Sequence, residues 1–141
     1  MRVSVGERIE GPDGWADWVH TYGIMGEIGA CLLGAGTDPG YEQSWSAVQE
    51  APSQPQPMTG LLPFPAELDW ARLAAAIPRH VLSSTLTSTR CPNTQLVRTL
   101  EEVEALKQQP GRGIHLIGGA QATADLIEAG LVDELRLIVH R

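Results

Sequence analysis

The sequence predicts an α/β fold in which a mainly parallel, mixed sheet is flanked by helices in three layers. Short apolar runs alternate along the chain with segments of helical periodicity. Three of these runs end in glycine or hydroxyl residues, as strands of parallel sheets often do before a crossover helix. The segment 112–141 reads as strand, diglycine turn, helix and strand, which is a βαβ unit. Such alternation favours a sheet with right-handed crossovers.

The composition is ordinary for a soluble globular protein. Its 141 residues predict one domain, 1–141, and 43% of them are hydrophobic. The net charge of -7 argues against nucleic acid and anionic membranes as partners. No apolar run is long enough to span a bilayer, and the start lacks a signal-peptide core. Cys31, Cys91 and the histidines show no metal-ligand spacing, so we expect reduced thiols, no metal and a cytoplasmic location.

The clearest local signals lie in the C-terminal βαβ unit. A strand over 114–117 precedes Gly118 and Gly119, and a helix over 120–129 follows. A turn without Cβ atoms lets a ligand phosphate approach the N–H groups at the start of that helix. Gly130 fits the left-handed position after a helix, which predicts a Schellman closure, and a second strand over 135–139 completes the unit.

The preceding chain carries weaker signals. We predict strands over 1–5, 30–33, 80–83 and 95–98. We predict helices over 15–26 and over 69–77, the latter with Asp69 as N-cap. A third helix is predicted to begin at a Thr99–Glu102 capping box and to end at Pro110. The Pro- and Gln-rich segment 46–65 is predicted to be a loop, either a flexible flap or partly disordered.

Three strand ends are expected to form one cleft. They carry Gly34–Thr37, Ser83–Thr85 and Gly118–Gly119. Each taken singly is commonly an ordinary turn, but three at the carboxyl edge of a sheet favour an extended phosphorylated ligand such as a dinucleotide. The chain has no GxGxxG fingerprint, no P-loop and no GxSxG motif, so standard Rossmann, P-loop nucleotidase and hydrolase readings lack support.

Several stretches together resemble a known family. Ile117–Ala120, followed by AGLVDEL at 129–135, is similar to the signature of the dihydrofolate-reductase-like superfamily. The branch is the riboflavin-biosynthesis reductase, or RibD C-terminal domain-like, family. SVGERIEGPDG at 4–14, LLGAGT at 32–37 and VLSSTL at 81–86 agree with that family in order along the chain.

The resemblance implies an oxidoreductase with NADPH as cofactor. Such an enzyme transfers hydride to a C=N or C=O carbon of a small pterin- or pyrimidine-type substrate, and the resemblance also implies a homodimer. The implied cofactor-binding residues are Gly34, Thr37, Ser83, Ser84, Gly118, Gly119 and Ala120. Ser83 and Ser84 would lie near the 2′-phosphate, and Thr37 near another phosphate. Glu7 and Asp13 are candidate catalytic residues, as proton donor or substrate contact; the alternative is that both are solvated turn carboxylates.

The chain also departs from the family pattern. Gly6 stands where the family has Asp, and Ala35 or Gly36 stands where it has Arg, which removes a phosphate-binding cation. Because the sequence stops at Arg141, we expect the sheet to lack the family's C-terminal strands. The alternative function is therefore a truncated or degenerate relative that binds nucleotide weakly or mediates oligomerisation.

Overall fold

The predicted α/β architecture is confirmed. The computed structural model describes residues 3–4, 25–56, 60–89, 91, 93–135 and 139–140. The strands are β1 Val3–Ser4, β2 Ile28–Gly34, β3 Arg79–Leu82, β4 Thr94–Val97, β5 Gly113–Gly118 and β6 Val139–His140. The α-helices are α1 Asp38–Glu50, α2 Pro65–Ala76, α3 Leu100–Lys107 and α4 Ala120–Glu128, and a short 3-10 turn, Met25–Glu27, precedes β2. Among these helices none combines the length and apolarity that a bilayer crossing requires.

The main sheet is parallel and its strand order is β4-β3-β2-β5. Strands β1 and β6 form a separate parallel pair. The chain places β3 and β4 on one side of β2 and then crosses back to place β5 on the other side. This reversal makes β2 the switch point of the sheet, and ligands of open α/β sheets bind at the carboxyl ends of strands at such a point.

Helices cover both faces of this sheet. On one face, α1 and α2 pack Tyr41, Trp45 and Trp70 against Cys31 and Leu33 of β2. On the other face the packed residues are Leu32, Val97, Val103 and Leu126, from β2, β4, α3 and α4. Neighbouring residues of β2 therefore point to opposite layers, as the pleat of a strand requires. Leu33 is fully buried, so the strand that ends at the switch point is also the centre of the core.

The predicted bounds of one loop and one helix need correction. The loop predicted over 46–65 is shorter in the structure, because residues 46–50 belong to α1 and Pro65 is the first residue of α2. Asp69 is not an N-cap: it lies inside α2 and pairs with Arg72 at 2.8 Å. Helix α2 instead begins after Phe64, whose N–H donates to the Glu67 carboxylate at 2.8 Å.

The predicted N-cap of α3 and the predicted closure after α4 are confirmed, but α3 ends at Lys107 and not at Pro110. Thr99 caps α3 by accepting from the Glu102 N–H at 3.3 Å, but the Glu102 carboxylate bonds the N–H of Arg98 instead of Thr99. After α4, Gly130 has φ +69°, and the N–H of Leu131 donates to the Leu126 carbonyl at 2.9 Å. That bond is the long one of a Schellman closure.

The C-terminal strand and the first helix are only partly within the described residues. Leu135 lies before the strand, while β6 itself is Val139–His140. Residues 15–24 of the predicted helix fall outside the described residues, and residues 25–27 form the 3-10 turn.

Candidate functional site

A cleft of about 760 Å³ opens at the carboxyl ends of β2 and β3 and at the turn that follows β5. It brings together six of the predicted cofactor-binding residues: Gly34, Thr37, Ser83, Ser84, Gly119 and Ala120. Gly118 lies beside it, because a Cβ built on Gly34 would be 3.5 Å from the Gly118 carbonyl oxygen. The volume is in the range of small-molecule and cofactor sites.

The glycine-rich exit of β2 and the diglycine turn after β5 are in direct contact. A Cβ built on Gly119 would meet Thr37 Oγ1 at 3.3 Å, and Gly119 has φ +81°. The close contact and the positive φ both favour glycine here. Thr37 occupies the N-cap position of α1, but its side chain makes no capping hydrogen bond. Its hydroxyl therefore lies against the turn at the cleft wall.

The start of α4 supplies N–H groups to the cleft. The helix begins at Ala120, and its first intrahelical bond is from Thr123 N–H to the Gly119 carbonyl at 3.0 Å. The N–H groups of the preceding turn have no partner within the helix. Ala120, Gln121 and Ala122 line the cleft, so the positive end of the α4 dipole faces this space.

Ser83 and Ser84 have different roles in the structure. Ser83 is a buried residue with 8% of its surface exposed. Its hydroxyl oxygen accepts hydrogen bonds from the N–H groups of Thr85 at 3.3 Å and Leu86 at 3.0 Å. It therefore shapes the turn that follows β3. Ser84 is exposed and lines the cleft. Of the two serines, Ser84 is the one whose hydroxyl can meet a ligand.

Arg98 lies at the cleft but is absent from the residues predicted from the sequence. It follows β4, lines the cleft, and donates through Nη1 to the Ser83 carbonyl at 2.9 Å and to the Leu86 carbonyl. Thr99 and Leu100, at the start of α3, line the cleft beside it. A local signal existed, namely an arginine between a strand and an N-cap. Only the adjacency of β3 and β4 shows that it reaches the turn after β3.

The charges around the cleft are unequal. Asp125 and Glu128 of α4 contribute carboxylates to the lining, and Asp125 accepts from Gln121 Nε2 at 2.7 Å. Arg98 is the single cation among the described lining residues, and in the described part of the chain it forms no ion pair. An anionic group that enters this cleft therefore has one arginine to meet.

The candidate catalytic residues Glu7 and Asp13 lie outside the described residues. Their roles stay predictions.

Comparison with known proteins identifies the family. The model of the RibD C-terminal domain matches residues 7–140, which is nearly the whole chain. The chain belongs to the RibD C-terminal domain family. A curated relative, the uncharacterized protein YyaP of Bacillus subtilis (strain 168), is 54% identical over 41 residues. That match covers 29% of this chain and 22% of the relative, so the chain spans about a fifth of the relative it matches.

The residues of this RibD C-terminal domain fit the cofactor that the family typically binds, which is NADPH. A dinucleotide phosphate needs N–H donors and a cation. The start of α4, Thr37, Ser84 and Arg98 meet that need at one edge of the sheet. Arg98 also places a cation at the cleft, whereas the departure at Ala35 or Gly36 had removed one from the expected site.

Proposed function

We propose that this riboflavin-biosynthesis reductase-like protein is an NADPH-dependent reductase. It transfers hydride to a C=N or C=O carbon of a small pterin- or pyrimidine-type substrate. The observation that carries the proposal is the convergence of six predicted cofactor-binding residues on one cleft of about 760 Å³ that also contains Arg98. NADPH supplies the hydride when bound, and the protein supplies orientation, exclusion of water and a proton source.

Each wall of the cleft has a separate task in this proposal. The first-turn N–H groups of α4, beside Gly119, hold the pyrophosphate, because the helix dipole favours negative charge there. The Thr37 hydroxyl, which lies against the Gly119 turn, donates to a phosphate oxygen beside these N–H groups. Ser84 and Arg98 hold the 2′-phosphate, since a guanidinium forms charge-assisted hydrogen bonds with phosphate oxygens. Glu7 and Asp13 remain candidates for delivering the proton to the reduced substrate.

Charge placed at the start of α4 tests the proposal. Ala120→Glu puts a carboxylate at the first position of the helix, where it suits the dipole but repels a bound phosphate. We expect it to weaken NADPH binding, followed by fluorescence titration, by about tenfold or more, since about 1.4 kcal/mol corresponds to a factor of ten. Ala120→Gln has a similar size without the charge and is expected to bind within a fewfold of wild type.

The matched control is Ala124→Glu, on the same helix but outside the cleft lining. We expect it to bind NADPH as wild type does. Equal binding by the Ala120→Glu and Ala124→Glu variants would contradict the placement of phosphate at α4. Absence of binding of both NADPH and NADH by the wild-type protein would contradict the reductase and support the alternative, a degenerate relative.

A further inference from the structure

A buried arginine lies beneath the first turn of α1, outside the cleft itself. Arg79, the first residue of β3, is 4% exposed. Its Nη2 lies 2.5 Å from Glu42 Oε2, and its Nε lies 3.4 Å from Asp38 Oδ1. The same Nε donates to Thr94 Oγ1 at 2.9 Å, and the Tyr41 ring lies 5.7 Å from the guanidinium carbon. Four side chains thus surround one guanidinium group.

The two carboxylates occupy an unfavourable place for a protein that binds phosphate. Asp38 directly follows Thr37 and is the first residue of α1. Glu42 lies one turn later on the same side, because both carboxylates reach the same arginine. Without a cation they would place negative charge next to the end of α1 that meets the cleft, and Coulomb repulsion there would oppose a bound phosphate.

The pKa values of the two carboxylates shift in opposite directions. Burial raises the pKa of Asp38, against the attraction of Arg79, and the neighbouring Glu42 raises it further. Burial also acts to raise the pKa of Glu42, but hydrogen bonds with Cys91, Ser46 and Arg79 outweigh it, so that pKa is lowered. Glu42 is therefore the anion that Arg79 chiefly balances.

We propose that Arg79 is a positioning residue for the phosphate site at the exit of β2. It ties the first turn of α1 to the sheet and neutralises Asp38 and Glu42, so that Thr37 and the positive end of α1 stay available to a phosphate of the dinucleotide. The inference deepens the proposed function and rests on it. Arg79 itself touches no ligand, because it lies outside the cleft lining.

The test compares NADPH dissociation constants at a temperature where circular dichroism shows each variant to be folded. Arg79→Met leaves both carboxylates unbalanced, and we expect its dissociation constant for NADPH to rise at least tenfold. Adding Asp38→Asn and Glu42→Gln to Arg79→Met removes the negative charge, and we expect affinity to return to within about threefold of wild type. Rescue by charge removal separates electrostatic positioning from a purely structural role.

Arg72→Met is the matched control, since Arg72 forms an exposed pair with Asp69 on α2 at 2.8 Å, outside the cleft. It is expected to leave NADPH affinity unchanged. If Arg79→Met does not fold, Glu42→Gln alone carries the test: the unbalanced positive charge of Arg79 is then expected to tighten NADPH binding severalfold, and unchanged or weaker binding overturns the inference.

The two proposals fail in different ways. Wild-type binding of NADPH combined with unaltered affinity in a folded Arg79→Met variant overturns the role of Arg79 and leaves the reductase standing. A triple variant that binds no better than Arg79→Met also overturns it. Wild-type protein that binds no NADPH overturns the proposed function, and the role of Arg79 with it.

Discussion

At the scale of single residues, the proposed selectivity for NADPH rests on Arg98, the cation of the described cleft lining. Its Nη1 is used by the Ser83 and Leu86 carbonyls, and the side chain remains exposed at the cleft beside Ser84. The arginine therefore shapes the turn after β3 and presents charge at the same place. A 2′-phosphate distinguishes NADPH from NADH, so under the proposed function a cation at this position favours NADPH.

We expect Arg98→Gln to lower the affinity for NADPH by about 10- to 100-fold, because hydrogen bonds to charged groups contribute about 1.5–3 kcal/mol. Affinity for NADH is expected to change little, since it lacks the 2′-phosphate. Parallel fluorescence titrations measure both. NADH is the internal control, because a collapsed Ser83–Leu86 turn would also weaken NADH binding. An equal loss for both cofactors would show that Arg98 acts only through the turn.

At the scale of elements, two helix caps were predictable from the sequence, and helix starts that contain proline were not. The Gly130 closure and the Thr99 cap follow from local chemistry that is visible in the sequence. No bounds were predicted for helix α1, whose first turn contains Pro39 and Gly40, two residues of low helix propensity. A proline in the first turn is compatible with a helix, since the N–H it lacks has no intrahelical partner there. Pro65 likewise is the first residue of α2, although the predicted loop included it.

The cleft, too, was only partly predictable from the sequence. Its glycine and hydroxyl residues follow strands, so their meeting at one sheet edge could be predicted from topology. Arg98 could not be assigned, because its approach to Ser83 requires β3 and β4 to be neighbours. The pairing of Arg79 with Asp38 and Glu42 likewise joins β3 to a helix that the sequence did not predict.

The Schellman closure after α4 gives a prediction at this scale. Gly130→Ala forces a side chain into a left-handed conformation at φ +69°, which costs about 1–2 kcal/mol. We expect the free energy of unfolding in urea to fall by that amount. Gly40→Ala is the matched control: Gly40 lies within α1 with nothing within 4 Å of its added Cβ, so we expect no loss and up to about 1 kcal/mol of gain. A Gly130→Ala variant as stable as wild type would contradict the closure.

At the scale of the whole molecule, the sheet separates two buried ionisable side chains, one of which has carboxylate partners. His80 and Arg79 are consecutive residues of β3 and point to opposite layers. Arg79 faces the α1–α2 layer, where carboxylates balance it. His80 is paired in register with Leu32, and the Leu32 side chain packs against α3 and α4. His80 itself is 5% exposed. Because burial penalises a charged imidazole, the pKa of His80 is lowered.

This burial makes stability depend on pH in a defined window. Above about pH 7, His80 is neutral in the folded and unfolded chain, so it contributes no slope. As the pH falls below about 6.5, the unfolded chain binds the proton and the folded chain resists it, so stability decreases. The loss is about 1.4 kcal/mol for each unit by which burial lowers the pKa. Carboxylates such as Glu42, whose pKa is lowered, change the stability at more acidic pH, where they become protonated.

His80→Gln isolates this contribution. We expect the free energy of unfolding of the wild-type protein, from urea titrations, to decrease between pH 7.5 and pH 5.5. The variant is expected to show a smaller decrease over the same interval, whatever its absolute stability, because the buried group no longer titrates. Parallel pH dependence in the two proteins would mean that His80 binds its proton equally well when folded, and that the α3–α4 layer admits the charge.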